Sequence, residues 1–337
     1  MAAAAPRKQR TIVPLVIVAI VLLLAEGLVR ATASRLPPPL TWSTAEIQVK
    51  DAQINARSRA GLTGGVVFLS SSVLDVGLDP AAFAADSGTR LPVYNAAVSG
   101  ANLEELRWWT DHIVIPELRP RIAVVGVSSR EINGNDPQQT MGAHLFFASA
   151  AVRHLSHDET VWEVLERYGD DVSYLFRYRK VLRDPDQILH HSTPVQVQKL
   201  DFTSPLGQEL ALSLQHYHNT AAVDSLFQAT FLEHFEISPT QVASLAGLIA
   251  DLQRSGAQVL LVDVPVTQQY IDLHPTGSID YAAYQLAIGQ VAANADIGFM
   301  GGQIWNTSYF ADPLHLNETG AQRLAGQLAT RLAPGLG

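Results

Sequence analysis

A chain of 337 residues, 47% hydrophobic and 16% charged, is long enough for one large globular domain or two small ones. Its net charge of −9, with no Lys/Arg run beyond the extreme N-terminus, argues against a nucleic-acid surface, and no nucleic-acid partner is expected. There is no cysteine, which excludes disulfides and cysteine-ligated metals and leaves the redox compartment open.

Arg7, Lys8 and Arg10 precede an apolar run from Ile12 to Ala25, extended by Gly27-Leu28-Val29 beyond a single Glu26. Taken as a helix, positions 12–29 reach about 27 Å, close to a hydrocarbon core of about 30 Å. Positive charge ahead of the run makes residues 1–10 cytoplasmic, residues 11–30 a transmembrane anchor, and the rest extracytoplasmic. Ala31-Thr32-Ala33 also fits a small-residue cleavage site, so a removed signal peptide is the rival reading. Glu26 and Arg30, between the apolar run and that site, favour the retained anchor. Residues 31–63 read as a juxtamembrane linker, stiff at Leu36-Pro37-Pro38-Pro39, with one helix between Ser43 and Arg59.

The main domain is expected over 64–337. Gly64-Gly65 open a buried strand, Val66-Val67-Phe68-Leu69, which stops at Ser70-Ser71-Ser72. Leu91 to Val98 is a second strand, ending at Ser99-Gly100, and Asn102-Leu103-Glu104-Glu105 has capping-box spacing for a helix. Ile122 to Val127 is a third, followed by Ser128-Ser129-Arg130-Glu131-Ile132-Asn133. From about 138 to 237 the pattern changes to helical stretches such as Val161 to Leu182, broken by Asp184-Pro185, Thr193-Pro194 and Ser204-Pro205. This block reads as a helical insertion or lid.

Alternation then resumes. Ser238-Pro239-Thr240-Gln241 is a capping box, opening a helix whose apolar face is Val242, Leu245, Leu248, Ile249 and Leu252, ended by Gly256. Val259 to Val264 is a fourth strand, Tyr281 to Ala293 a helix, and Ile297 to Met300 a fifth strand. Asn317 caps a last helix with Leu324, Leu328 and Leu332 inward. Strands alternating with helices predict a parallel sheet covered on both faces.

Chemistry in such a sheet sits at the carboxyl ends of the strands, which is where Ser72 falls. A serine hydroxyl becomes a nucleophile when a base takes its proton and a third group fixes that base. Asp312-Pro313-Leu314-His315 supplies both from one loop. His190-His191 and His216-Tyr217-His218 lack a placed carboxylate or cysteine, so no metal and no other cofactor is expected. Tyr174, Arg177, Tyr178 and Arg179 read as an amphipathic helix with snorkelling arginines rather than a glycan or headgroup site.

The order of these blocks resembles the SGNH hydrolase superfamily, the GDSL esterases and lipases. The first block matches Ser70-Ser71-Ser72, with Ser72 at the nucleophile. The second matches Asn95-Ala96-Ala97-Val98-Ser99-Gly100, and the last matches Asp312 and His315. The likeness covers about 64–136 and 240–335. It implies a flavodoxin-like three-layer α/β fold and an oxyanion hole using the backbone N–H groups of Ser72 and Gly100. Two departures stand out. Ser70 and Ser71 replace the family's Gly-Asp, a degeneracy of membrane-anchored acyltransferase-type members. The third block, Gly-x-Asn-Asp, falls on Gly126-Val127-Ser128-Ser129, so Ser128 takes the place of the oxyanion asparagine, with Asn133 and Asn135 as alternatives. The resemblance implies an extracytoplasmic serine hydrolase or O-acyltransferase acting on an acyl ester of a cell-envelope glycan or lipid. It also admits a membrane acyltransferase as partner. The alternative is a catalytically degenerate envelope protein that keeps the fold and binds glycan or a membrane partner.

Overall fold

Continuous runs of β-branched and large apolar residues give five short strands, all parallel, in the computed structural model. The structure describes residues 9–37, 39–183, 203–210, 217 and 221–336. The strands are β1 (Val66–Leu69), β2 (Val93–Asn95), β3 (Ile122–Val127), β4 (Gln258–Asp263) and β5 (Gly298–Met300). Their order is β2-β1-β3-β4-β5. That is the flavodoxin-like winding, whose crevice opens beyond the carboxyl ends of β1 and β3. Val66 pairs with Ile122 and Leu69 with Val125, and every residue of both strands is buried. Strands covered on two faces have no polar side to show, which is why they read as unbroken apolar runs.

Helix α1 (Gln9–Thr32) leads the chain, and the stretch Val13–Arg35 is long and apolar enough to cross a membrane. Helix α2 (Ala45–Arg59), capped by Thr44, was expected in a linker outside the domain. It is instead part of the core, with Ile47, Lys50 and Ile54 buried. Lys50 places its ammonium on the Asp75 carboxylate and the Ala97 carbonyl, 3.8 Å from Glu46. A short α3 (Ser72–Asp75) follows β1, and α4 (Pro80–Ser87) leads to β2. Then α5 (Leu103–Trp109) runs through a π turn (Thr110–Val114) into α6 (Ile115–Leu118).

The insertion contains α7 (Pro137–Phe147), α8 (Ala150–Leu155), α9 (Val161–Val172), α10 (Tyr174–Arg177), α11 (Arg179–Leu182), and α12 (Ala221–Phe227) with a π turn over Gln228–Leu232. The single helix expected from Val161 to Leu182 is thus three. Ser173 breaks it by turning extended and capping α10 through the N–H of Phe176. Arg177 and Arg179 do not snorkel: Arg179 pairs with Asp170 and, at 3.1 Å, with Glu166 of α9. His190, His191, His216 and His218 lie outside the described residues.

The second half adds α13 (Pro239–Arg254), α14 (Gln268–Asp272), α15 (Ser278–Ala295) and α16 (Glu318–Leu332). The capping box at Ser238 is only half made. Ser238 Oγ accepts the Gln241 N–H at 3.3 Å, but the Gln241 side chain accepts from Leu103 N–H at 3.0 Å, tying α13 to α5. Helix α16 packs on α4, and α13 on α5.

Candidate active site

The three serines after β1 have three different partners. Ser70 donates to the Gly126 carbonyl of β3 at 2.8 Å, and Ser71 donates to Glu131. Ser72, the first residue of α3, faces His315, with Oγ 2.8 Å from Nε2. Gly126 explains how α3 sits so low. A Cβ there would lie 2.4 Å from Leu74 Cδ1, so only glycine lets the helix carrying Ser72 rest on β3.

His315 comes from the loop before α16. Ala311 N–H donates to the His315 carbonyl at 2.8 Å, and Thr267 Oγ1 donates to the Pro313 carbonyl at 2.8 Å, pinning that loop at both ends. Asn317 caps α16 through Gly320 N–H at 3.0 Å. Within the loop, Asp312 Oδ1 accepts the N–H groups of Leu314 (2.9 Å) and His315 (2.7 Å). Its Oδ2 lies 2.7 Å from His315 Nδ1. Ser72, His315 and Asp312 form one hydrogen-bonded chain.

The charges follow. Burial pushes the Asp312 carboxyl up, but the His315 charge and the three hydrogen bonds from His315 and Leu314 outweigh it, so Asp312 stays below the ordinary carboxylate value. Burial alone would lower His315. Attraction and a hydrogen bond from Asp312 more than reverse this, leaving the imidazole above its ordinary value, with Arg130 opposing and Glu131 assisting. An ionised Asp312 on Nδ1 holds the proton there and leaves Nε2 free to accept from Ser72.

Of the side chains expected to complete an oxyanion hole, Ser128 and Asn135 have their donors committed elsewhere and Asn133 has one of its two committed. Ser128 is fully buried, and its single hydroxyl proton goes to Glu131 Oε2 at 2.6 Å, beside its own N–H, also at 2.6 Å. The Asn133 amide donates to the Phe231 carbonyl at 2.8 Å and the Asn135 amide to the His234 carbonyl at 2.7 Å. Ser128 therefore keeps no hydroxyl proton free for an oxyanion. Gly100 lies in a left-handed turn (φ 80°) after β2. Its neighbour Ser99 donates to Asp75 of α3 at 2.7 Å, fastening this turn to the helix of Ser72. The Glu46, Asp75 and Glu209 carboxylates gather there within 4.8 Å of one another, and burial with the Asp75 charge pushes Glu46 up to about 8.

Four residues near the site were not singled out from the sequence. Glu131 is 1% exposed and joins Ser71 to Ser128, so one carboxylate clamps the ends of β1 and β3 together. Its signal was the Ser-x-x-Glu capping spacing with Ser128, whose N–H and hydroxyl both donate to the Glu131 carboxylate. Arg130 donates from Nε to Asp136 at 2.9 Å and lies 3.9 Å from the Phe231 ring centre. Phe231 stacks edge-on with Phe227, 5.2 Å between centres, and Phe227 meets the His315 ring at 6.4 Å. This pair, spaced i and i+4, is how the end of the insertion walls the site. A groove of about 880 Å³ lies beyond that wall, lined by Asn135, Asp136, Met141, His144, Glu233 and His234, and shares Asp136 with Arg130. It does not touch Ser72 or His315. A second serine–histidine contact, Ser129 Oγ to His274 Nε2 at 2.8 Å, is sealed in the core beside Tyr270, with the imidazole Nδ1 turned to the Tyr270 and Ile271 carbonyls rather than to a carboxylate among the described residues.

The chain matches no known family model and no curated protein sequence. Among solved structures it is similar to an acetyl xylan esterase, at 13% identity, covering 80% of this chain and 99% of that one with a TM-score of 0.41. It is also similar to an inhibitor-bound M. smegmatis aryl esterase, at 9% identity, 81% and 100% coverage and a TM-score of 0.41. A third is TesA, at 14% identity, 80% and 98% coverage and a TM-score of 0.38. At these values the likenesses carry no weight beside the sheet order and the site geometry.

Proposed function

We propose that the chain is a serine esterase or O-acyltransferase of the SGNH kind, held outside the cytoplasm by α1 and acting on an acyl ester of a cell-envelope glycan or lipid. The observation that carries this reading is the Ser72–His315–Asp312 chain of hydrogen bonds at the carboxyl edge of a parallel sheet. Ser72 Oγ attacks the acyl carbonyl while His315 Nε2 takes its proton. His315 returns that proton to the departing alcohol, and water or an acceptor hydroxyl then releases the acyl group by the same steps in reverse. The N–H groups of Ser72 and Gly100 are the expected oxyanion donors. Turnover of p-nitrophenyl acetate by the full chain, set against Ser72→Ala, tests the chemistry; equal rates in the two would refute it. Protease added to spheroplasts tests topology: the body should be removed, leaving a small membrane-bound fragment.

The committed donors of Ser128 and Asn135 favour a second reading, a binding protein that keeps the fold. Loss of one oxyanion donor costs roughly 10²–10³ in rate, so slow but Ser72-dependent turnover would decide for the enzyme.

A further inference from the structure

Helix α9 is built inside out. Val161, Trp162, Leu165, Tyr168 and Val172 lie on one side of it, and they are 76%, 77%, 54%, 60% and 76% exposed. Its charged residues, still partly open to solvent, are tied by ion pairs to neighbouring segments. Glu163 pairs with Arg153 of α8, Arg167 with Glu159 at 3.1 Å, and Glu166 and Asp170 with Arg179. A helix on a water-facing surface segregates the other way, apolar side in. A contiguous apolar stripe left in the open marks a surface made for a partner.

The place of α9 says which partner. Helix α1 presents side chains from Val13 to Leu24 that are 50% to 72% exposed wherever they are large and apolar. At the end of that run, Glu26 accepts from Ser173 Oγ (2.8 Å) and from the N–H groups of Tyr174 (2.9 Å) and Leu175 (2.8 Å), capping α10. Arg30 lies 4.8 Å from the Tyr174 ring centre, and Val29 packs with Tyr178 and Val181. Helix α9 is fixed to α10 in turn, since a Cβ on Gly169 would come 2.7 Å from the Phe176 ring. The C-terminal end of α9 is thus tied, through α10, to Glu26 near the outer end of the apolar run of α1. The Trp and Tyr of the stripe are the residues that favour the headgroup boundary.

We propose that α9 lies in the outer interface of the bilayer that α1 crosses, with the Val161–Val172 stripe against the acyl chains. Helices with this segregation lie in the interface plane, the apolar face about 5–10 Å deep. The inference rests on the anchor reading of α1 and adds a second foothold, through which the insertion grips the membrane.

The absence of cysteine makes the test clean, because one introduced thiol labels one site. Nitroxides would be placed at Trp162→Cys, Leu165→Cys and Val172→Cys in the full chain, reconstituted in phosphatidylcholine–phosphatidylglycerol vesicles. Ala85→Cys on α4 is the aqueous reference and Ile20→Cys reports α1. The ratio of oxygen to nickel-chelate collision should be several-fold higher at the three α9 sites than at Ala85. In the unlabelled chain, lipid brominated in its tails should quench an emission component that Trp162→Phe removes. Ile20 in lipid with α9 as aqueous as Ala85 overturns this inference alone. Ile20 in water overturns the anchor reading and this inference with it. Labels shielded from both reagents, with dipolar broadening that fades on dilution with unlabelled chain, mean a second copy covers the stripe and also overturn it.

Discussion

Replacing Gly126 by alanine should move the nucleophile without touching it. The new Cβ would lie 2.4 Å from Leu74 Cδ1 and 2.5 Å from its Cγ. Carbon atoms pack at about 3.5–4.0 Å, so roughly 1 Å of relief is needed. Leu74 has no exposed surface into which to swing, so α3 must lift and carry Ser72 away from His315. Overpacking of this kind costs about 1–3 kcal/mol, and a shift of about 1 Å in a reacting group costs on the order of a hundredfold in rate. The assay pairs kcat/KM on p-nitrophenyl acetate with a thermal melt. Leu74→Ala removes the atoms in the way and by itself costs about 2–5 kcal/mol. Combined with Gly126→Ala it should recover activity relative to the glycine variant alone, a coupling that a double-mutant cycle measures directly. Wild-type turnover and melting temperature in Gly126→Ala would refute the reasoning.

Ser72→Ala and His315→Ala should each lower turnover by several orders of magnitude, the double variant little further, and a fluorophosphonate should label Ser72 alone. Labelling that survives in Ser72→Ala would move the nucleophile to Ser70 or Ser71. The base must be neutral and Asp312 raises His315, so kcat/KM should fall as pH drops through a value above about 6.5. Asp312→Asn removes what raises His315 and leaves burial, so that acid limb should move to lower pH while kcat falls; an unmoved limb would show that His315 is not the group titrating. Glu131→Gln should cost about 1.5–3 kcal/mol through its charged hydrogen bonds and also draw the acid limb down, since Glu131 helps raise His315. Ser128→Asn puts an amide into a filled site facing that carboxylate and should lower the melting temperature rather than raise activity; faster turnover would return Ser128 to the oxyanion hole.

The sheet was readable because strands buried on both faces, β1 and β3 above all, leave uninterrupted apolar runs, and these two end at serines. Ser72 and Ser128 were legible as places for the same reason, each standing at such an end. What Ser128 bonds to was not, because its partner Glu131 is chosen by the approach of Ser71 from another strand. Phe227 and Phe231 were hidden in a segment with no block pattern, where an i, i+4 aromatic pair reads equally as ordinary helix packing. Helix α2 misled by its polar composition. A lysine with no exposed surface cannot be told from a solvated one until Asp75 and the Ala97 carbonyl are seen around it. The helical stretch read over Val161 to Leu182 breaks at Ser173, a residue whose turn caps α10 and also meets Glu26, well over a hundred positions upstream, a contact no local pattern shows.

Lys50 sets where a protease can cut if the body is to be shed intact. Severing the chain between the end of α1 at Thr32 and the cap of α2 at Thr44 leaves α2 in the domain with its ammonium still seated, and only the contacts of Glu26, Val29 and Arg30 then hold α1. A cut beyond α2 removes the cation and strands the buried Asp75 carboxylate, a loss of about 3–5 kcal/mol that consumes a large share of an ordinary domain's stability. A cut that leaves α2 in place is therefore confined to positions 33–43, and trimming past Arg59 delivers an unfolding chain.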